Sequence, residues 1–204
     1  MKIHIIGCSG SGKTYLANAL SKKYNISHFD LDDIQWDNNA KEYGKKRTLD
    51  ERKALLQEIL YNNDEWIIEG VYYAWVQQSF DEADKIYVLD MPGYLYKSRI
   101  IMRSIKRKLG IQKGKRETLK SVYNLLKWTE TFQNKNLKEI RSILDRYDDK
   151  VIWLSRKKDV EENNKGGMIT SSLSVRISFF IEPFCPWHTK VCERCKAYSA
   201  IRDL

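Results

Sequence analysis

The residues Gly7-Cys8-Ser9-Gly10-Ser11-Gly12-Lys13-Thr14 constrain the fold of this chain more than any other stretch. They match G-x-x-x-x-G-K-[ST] at every fixed position, after a short strand-like stretch and before apolar residues at helical spacing. Glycines let the main chain curl with its N–H groups pointing inward around an anion. The following helix adds the positive end of its dipole. The segment therefore predicts a phosphate-binding loop at the carboxyl end of a buried strand.

Each position of this loop has an expected contact with a nucleoside triphosphate. Lys13 carries a cation to the β- and γ-phosphates, and Thr14 offers a hydroxyl to Mg²⁺. The expected nucleotide contacts are Gly7, Cys8, Ser9, Gly10, Ser11, Gly12, Lys13, Thr14 and Tyr15.

Beyond the loop, short apolar runs alternate with helical patterns. The predicted strands are residues 2–6, 26–29, 66–68, 85–89 and 151–154, and the predicted helices are 13–24, 49–62, a helix ending near 109, 117–128 and 136–147. Short apolar strands separated by helices indicate a parallel sheet that is covered on both faces.

Acidic residues stand at the predicted strand ends, on the edge of the sheet where ligands bind. Asp90 closes the fourth strand and is expected to hold Mg²⁺ together with Thr14. Asp30 and Asp32 are two residues apart, so in an extended segment they point the same way and can orient an acceptor hydroxyl or a hydrated metal. Glu69 ends the third strand. The alternative for Asp30 and Asp33 is capping of a following helix.

Aromatic residues cluster beside these acids. They are Trp36, Trp66, Tyr72, Tyr73 and Trp75. They either wall a pocket for a ring-shaped acceptor or belong to ordinary packing.

The chain carries a net charge of +9, and residues 97–116 alone hold nine Lys and Arg and no acid. Arg99, Arg103 and Arg107 are four apart and share one helix face, while Ile101, Met102, Ile105 and Leu109 are expected to pack on the sheet. Three interpretations remain open: a lid that neutralises phosphate charge, a solvated basic face, and a nucleic-acid patch. For a lid, the predicted hinges are Gly110 and Gly114, with Lys113, Lys115 and Arg116 on the moving part.

These residues together resemble the P-loop nucleoside-monophosphate and shikimate kinase-like group, from residue 1 to about 160. The stretch 29–32 is similar to the acidic motif after the second strand of shikimate-type kinases, and 83–90 looks like the strand before their arginine-bearing lid. More narrowly, residues 28–36 and 66–72 resemble an adenylate kinase-related family whose bacterial members are often labelled DNA topology modulation proteins.

The resemblance implies an α/β, three-layer P-loop NTPase fold with a five-stranded parallel sheet in the order 2-3-1-4-5. It implies a helical lid at about 97–135, ATP with Mg²⁺ as cofactors, and adenine near Ser155 to Lys158, with Arg156 as a contact. We expect this kinase-like domain to span residues 1–162.

Residues 163–204 differ in composition from the preceding domain and are expected to form a disordered or loosely docked extension. Within it, Cys185, His188, Cys192 and Cys195 have ligand-like spacing for zinc, but only three residues separate the two halves, where zinc sites normally have a longer loop. A terminus that is not native to the protein would look similar.

The leading hypothesis is an ATP-dependent phosphotransferase that moves the γ-phosphate of ATP to a small-molecule or nucleotide acceptor. The expected catalytic residues are Lys13, Asp32, Arg99, Arg103 and Arg107, and the expected acceptor contacts are Asp30, Asp32, Glu69, Gly70 and Tyr72. The alternatives are a nucleotide-dependent DNA- or RNA-binding regulator and a slow ATPase. We expect a cytoplasmic protein with no membrane contact, because the apolar runs are too short to span a bilayer and the N-terminal one is too short for a secretory signal.

Overall fold

The computed structural model describes residues 1–37, 45–111 and 118–165, and all structural statements here concern those residues. The chain separates into two compact units, Met1–Ser171 and Ser172–Leu204, and the second unit lies outside the described residues. The predictions that also lie outside them are the zinc ligands Cys185, His188, Cys192 and Cys195, and the mobile part of the lid with Lys113, Gly114, Lys115 and Arg116.

Five parallel strands form one sheet. They are β1 (Lys2–Gly7), β2 (His28–Asp30), β3 (Trp66–Gly70), β4 (Lys85–Leu89) and β5 (Val151–Leu154). Their order is β2-β3-β1-β4-β5, as predicted, and all four neighbouring pairs are parallel. The register sets Glu69 opposite both Ile5 and Asp30, so the carboxyl ends of β1, β2 and β3 meet at one edge.

Helices surround this sheet. They are α1 (Lys13–Tyr24), α2 (Leu31–Gln35), α3 (Leu49–Asn62), α4 (Gln77–Glu82), α5 (Gly93–Lys108), α6 (Leu119–Thr131), α7 (Leu137–Leu144) and α8 (Lys157–Lys165). A π-helical segment, Phe132–Asn136, joins α6 to α7, and a 3₁₀ turn, Asp145–Tyr147, follows α7. None of the described helices combines the length and the apolar character that crossing a bilayer requires.

The apolar pattern did not predict three of these helices, although the capping alternative for Asp30 and Asp33 supposed a helix at the position of α2. Helices α2 and α4 have five and six residues, which is too short for an apolar repeat to show. Helix α8 contains one large apolar residue, Val160, and runs to Lys165, past the predicted domain boundary at residue 162.

The buried core lies around the three central strands, β1, β3 and β4, which have no exposed residue. From α1, Leu16 and Leu20 are buried in this core, and from α4, Phe80. The core thus holds both β1 and α1, and the loop predicted to bind phosphate connects these two elements.

Candidate functional site

The glycines of the loop between β1 and α1 adopt backbone conformations that other residues rarely reach. Gly10 has φ +79° and Gly12 has φ +104°. A Cβ at position 10 would lie 3.0 Å from the carbonyl oxygen of Tyr96 on α5. Both glycines are therefore needed for the curl that turns the N–H groups inward.

Lys13 is buried, and its Nζ donates to the carbonyl of Cys8 at 3.1 Å. This bond holds the ammonium against the loop. The Oγ of Ser11 is also buried and has no hydrogen-bond partner among the described residues. An orphaned donor beside a buried ammonium in a curled glycine loop is the arrangement that fits a polyphosphate.

Two of the predicted nucleotide contacts, Gly7 and Cys8, have only main-chain atoms to offer a ligand. The side chain of Cys8 is fully buried, and burial raises the pKa of its thiol to about 11. Gly7 packs against Leu89 and Ser11, with no room for a Cβ. Both residues shape the loop but line neither cavity beside it.

Glu69, at the end of β3, is bonded to the first turn of α1. The hydroxyl of Thr14 donates to its Oε1 at 2.5 Å, and the Nε2 of His28 lies 3.6 Å from the same oxygen. Burial by itself would raise the pKa of Glu69, but His28, Lys13 and Thr14 outweigh it and hold the pKa below its usual value. The carboxyl group is thus kept ionised beside the loop.

Asp30 and Asp32 do not lie in one extended segment, as the sequence suggested, because β2 ends at Asp30 and α2 starts at Leu31. Asp30 is the N-cap of α2 and accepts from the backbone N–H of Asp32 at 2.9 Å, so the capping alternative holds for this residue. Asp32 accepts from the hydroxyl of Tyr72 at 2.7 Å. Both carboxylates nevertheless face the same cavity.

Asp90, predicted to hold Mg²⁺ with Thr14, does not line that cavity. Its carboxylate lies 3.9 Å from the guanidinium of Arg141, and its backbone N–H donates to Leu154 on β5. Burial raises the pKa of Asp90, and Arg141 offsets part of this effect. The structure therefore does not bring Asp90 together with the acids of β2 and β3.

The arginines of α5 occupy the inward face of the helix. Arg99 donates to the carbonyls of Gly10 and Ser11 at 3.1 and 2.9 Å, and Arg103 and Arg107 line the same cavity one and two turns further on. The expected packing of the opposite face is wrong, since Ile101, Ile105 and Leu109 are 43–66% exposed. Tyr96 and Ile100 make the buried contacts instead. At 100° per residue they fall on the arginine face, so this one face both packs and presents charge.

One cavity of about 690 Å³ joins these groups. It is lined by the loop with Lys13 and Thr14, by the acids Asp30, Asp32 and Glu69, by Gly70, and by Arg99, Arg103 and Arg107. Gly70 is required there because a Cβ would lie 2.7 Å from the side chain of Leu31. Positive and negative groups thus face each other across the space beside the loop.

Four aromatic side chains complete this cavity: Tyr15, Trp36, Tyr72 and Trp128. Of the other predicted aromatics, Trp66 and Trp75 are buried in the core, and Tyr73 donates to Glu139 at 2.6 Å. Trp128 was missed by the sequence analysis because it reads as an apolar position of α6. Its neighbour at helical spacing, Phe132, is buried, whereas Trp128 stays half-buried at the cavity.

A second cavity of about 430 Å³ lies beside the loop near α8. It is lined by Ser11, Gly12, Tyr15, Met91, Arg99, Val160 and Glu161. Arg156, predicted to contact adenine, lies at the start of α8 with its guanidinium 2.8 Å from Asp159 and does not line this cavity.

Comparisons with known proteins find a matching family, a related protein and a similar solved structure. Residues 3–120 match the family described as AAA domain. The chain is 29% identical over 140 residues to the uncharacterized protein YqaC of Bacillus subtilis strain 168. The aligned region covers 69% of this chain and 76% of YqaC.

A solved structure of shikimate kinase from Acinetobacter baumannii in complex with shikimate is similar to this one. The match covers 80% of this chain and 88% of the shikimate kinase chain. It has a TM-score of 0.51 and 16% sequence identity, so it shows a shared fold. The matches confirm the predicted P-loop nucleoside-monophosphate and shikimate kinase-like group.

Proposed function

Because the chain belongs to the AAA domain family of P-loop NTPases, we propose that it is a cytoplasmic, ATP-dependent phosphotransferase that moves the γ-phosphate of ATP to a small-molecule or nucleotide acceptor. One observation carries the proposal: a single cavity is lined by a phosphate-binding loop, a set of carboxylates and a row of arginines. Phosphoryl transfer needs all three within one space, because its catalysis is mainly positioning and neutralisation of charge.

The triphosphate would lie along the loop, bound by its N–H groups and by Lys13. The second cavity, with Tyr15 exposed at its wall, is suited to the base. Helix α8 begins at Lys157, within the stretch Ser155–Lys158 where the resemblance implies adenine.

The hydroxyl of Thr14, oriented by its hydrogen bond to Glu69, is the group that fits Mg²⁺ here, whereas the expected pair was Thr14 and Asp90. No cluster of three His, Cys, Asp or Glu able to hold a metal exists among the described residues. Mg²⁺ does not require one, since it binds through one or two protein oxygens, phosphate oxygens and water. When bound, it would neutralise charge on the β- and γ-phosphates.

The acceptor would enter from the side of Asp30, Asp32 and Tyr72. Burial, followed by the charge of Asp32, raises the pKa of the Tyr72 hydroxyl, so it stays protonated and keeps donating to Oδ1 of Asp32. The second oxygen of Asp32 is then directed to an acceptor hydroxyl. That hydroxyl oxygen attacks the γ-phosphorus, the bond to the β–γ bridging oxygen breaks, ADP leaves, and the proton passes to the carboxylate.

The arginines of α5 would stabilise the transferring group. Arg99 is already fixed to the loop, and Arg103 follows it by one turn, or about 6 Å along the helix. Guanidinium groups bind phosphoryl oxygens in pairs and are well suited to charge that spreads during transfer.

A screen for acceptor-dependent release of ADP tests this proposal. Purified protein with MgATP is offered nucleoside monophosphates and small hydroxylated compounds one at a time, with Asp32→Asn as the matched control. At least one acceptor should raise ADP release well above basal hydrolysis in the wild type, and Asp32→Asn should lose most of that increase. If every compound leaves the rate at the basal level, the proposal of a kinase is wrong.

A further inference from the structure

His28 is a polar residue beside the proposed site that neither the loop motif nor the arginine row explains. It begins β2, its side chain is 16% exposed, and its Nε2 is buried without a hydrogen-bond partner among the described residues. That atom lies 3.6 Å from Oε1 of Glu69. A buried ring nitrogen just outside bonding distance of a carboxylate calls for an explanation.

The same oxygen of Glu69 accepts the hydroxyl of Thr14 at 2.5 Å. A threonine hydroxyl has one hydrogen and two lone pairs. When the hydrogen is donated to Glu69, the lone pairs must face away from Glu69, which is the orientation that a cation coordinated by Thr14 requires. The position of Glu69 therefore sets the direction in which Thr14 can coordinate.

The positive charge of Lys13 also acts on this carboxylate and helps to lower the pKa of Glu69. If Glu69 turned toward Lys13, the hydroxyl of Thr14 would lose its acceptor and the ammonium would be drawn toward Glu69. His28 stands beside Glu69 on the neighbouring strand, two residues before Asp30, which is paired with Glu69 in the sheet. If the distance between the two side chains shortened slightly, Nε2–H of His28 would donate to Oε1 of Glu69. That hydrogen bond would oppose rotation of the Glu69 side chain toward Lys13.

We propose that His28 is a positioning residue that holds Glu69 against Thr14 and thereby sets the affinity of the nucleotide site for Mg²⁺, without touching nucleotide or metal. This inference rests on the proposed binding of MgATP. Residues that orient metal ligands typically change metal affinity about 10- to 100-fold when they are removed.

Calorimetric titration tests the inference with ATP in excess Mg²⁺ and, separately, with ATP in EDTA. His28→Ala should weaken binding of MgATP about tenfold and change binding of metal-free ATP less than about twofold. His28→Gln keeps an N–H donor on a side chain of similar reach and should restore most of the affinity. Ser27→Ala, at an exposed neighbouring side chain, should match the wild type.

A double variant distinguishes action through Thr14 from a general effect. Thr14→Val removes the hydroxyl, so His28→Ala should add little further loss in that background. Circular dichroism and thermal melting verify that each variant is folded.

Three results would overturn the inference: an equal loss with and without metal, a loss that His28→Gln shares, or no loss in His28→Ala. If the wild type binds MgATP and His28→Ala binds it with the same affinity, only the role of His28 is wrong. If the wild type itself binds no MgATP, the proposed function fails with it.

Discussion

The surroundings of Asp30 include groups that favour its ionised form and others that disfavour it. Its side chain caps α2, yet it lies beside two other carboxyl groups. Burial, together with the charges of Glu69 and Asp32, raises its pKa from 3.8 to about 6. The ionised form is therefore less favourable in the folded protein than in the unfolded chain.

This conflict predicts a pH-dependent stability. Below about pH 4 Asp30 is protonated in both states and no penalty exists. As the pH rises through 6, the penalty of the ionised form is fully present, at about 1–3 kcal/mol. Asp30→Asn preserves the cap but removes the charge, so it should increase the free energy of unfolding by that amount at pH 7.5 and hardly change it at pH 4. Urea unfolding at both pH values measures this, and an equal effect at the two values would contradict it.

Tyr96 shows how one hydroxyl fixes a helix to a strand. Its Oη accepts from the backbone N–H of Met91 at 2.7 Å and donates to the carbonyl of Leu89 at 3.0 Å, and the ring is buried. Tyr96→Phe leaves both backbone groups buried without this partner, so it should lower the free energy of unfolding by about 1–3 kcal/mol. Tyr94→Phe, on the same helix but 57% exposed, is the control and should change it by less than about 0.5 kcal/mol. Equal effects in urea unfolding would argue against this role of Tyr96.

At the scale of elements, helix α5 separates two kinds of basic residue. Arg103 and Arg107 are half-buried at the cavity, whereas Lys106 and Lys108 are exposed to solvent. The charge is similar at all four positions, so any difference between them in function must come from the face on which they lie.

Alanine variants of these residues test the proposed role of the helix. Arg103→Ala should reduce acceptor-dependent kcat/KM by about 100-fold or more, since it removes charge stabilisation during transfer. Lys106→Ala and Lys108→Ala should stay within about twofold of the wild type, because exposed charges contribute little. If the lysine variants lose as much activity as Arg103→Ala, the cavity is not where the basic residues act.

The elements that the sequence predicted well are those whose patterns are long or unusual. The loop motif, β1, α1 and β4 were found with nearly correct bounds, because glycine spacing and buried strands leave a clear local signal. Helix α2 was anticipated only through the capping alternative for Asp30, since its five residues depend on that cap and on the close approach of Leu31 to Gly70. The cap is local, but the approach of Leu31 to Gly70 comes from tertiary structure, and a single sequence does not display it.

The same limit explains the prediction for α5. The spacing of Arg99, Arg103 and Arg107 correctly placed them on one face, but it could not say which face points inward. The apolar residues Ile101 and Ile105 suggested the opposite orientation. Contacts of Tyr96 and Ile100 with the loop residue Gly10 decide it, and these join parts of the chain nearly 90 positions apart.

At the scale of the whole molecule, the net charge of +9 leaves room for a rival function in nucleic-acid binding. In the described part of this segment, residues 97–111, three of the six Lys and Arg line the cavity, which favours a small phosphorylated ligand over a duplex. Turnover should therefore change by less than about threefold between 50 and 200 mM salt, whereas binding to nucleic acid through several phosphates falls by orders of magnitude. Tight DNA binding with a steep dependence on salt, and no acceptor-dependent turnover, would favour the regulator.

The central claim is that the loop of residues 7–14 binds the phosphates of ATP with Lys13 as its cation. Calorimetric titration of MgATP into the wild type, Lys13→Ala and Lys22→Ala tests it most directly, with Lys22 as an exposed lysine of the same helix. We expect clear binding by the wild type and by Lys22→Ala, and a loss of about 10- to 100-fold in Lys13→Ala, because a charge-assisted hydrogen bond is removed. An unchanged affinity in Lys13→Ala, or no binding by the wild type, would contradict the claim.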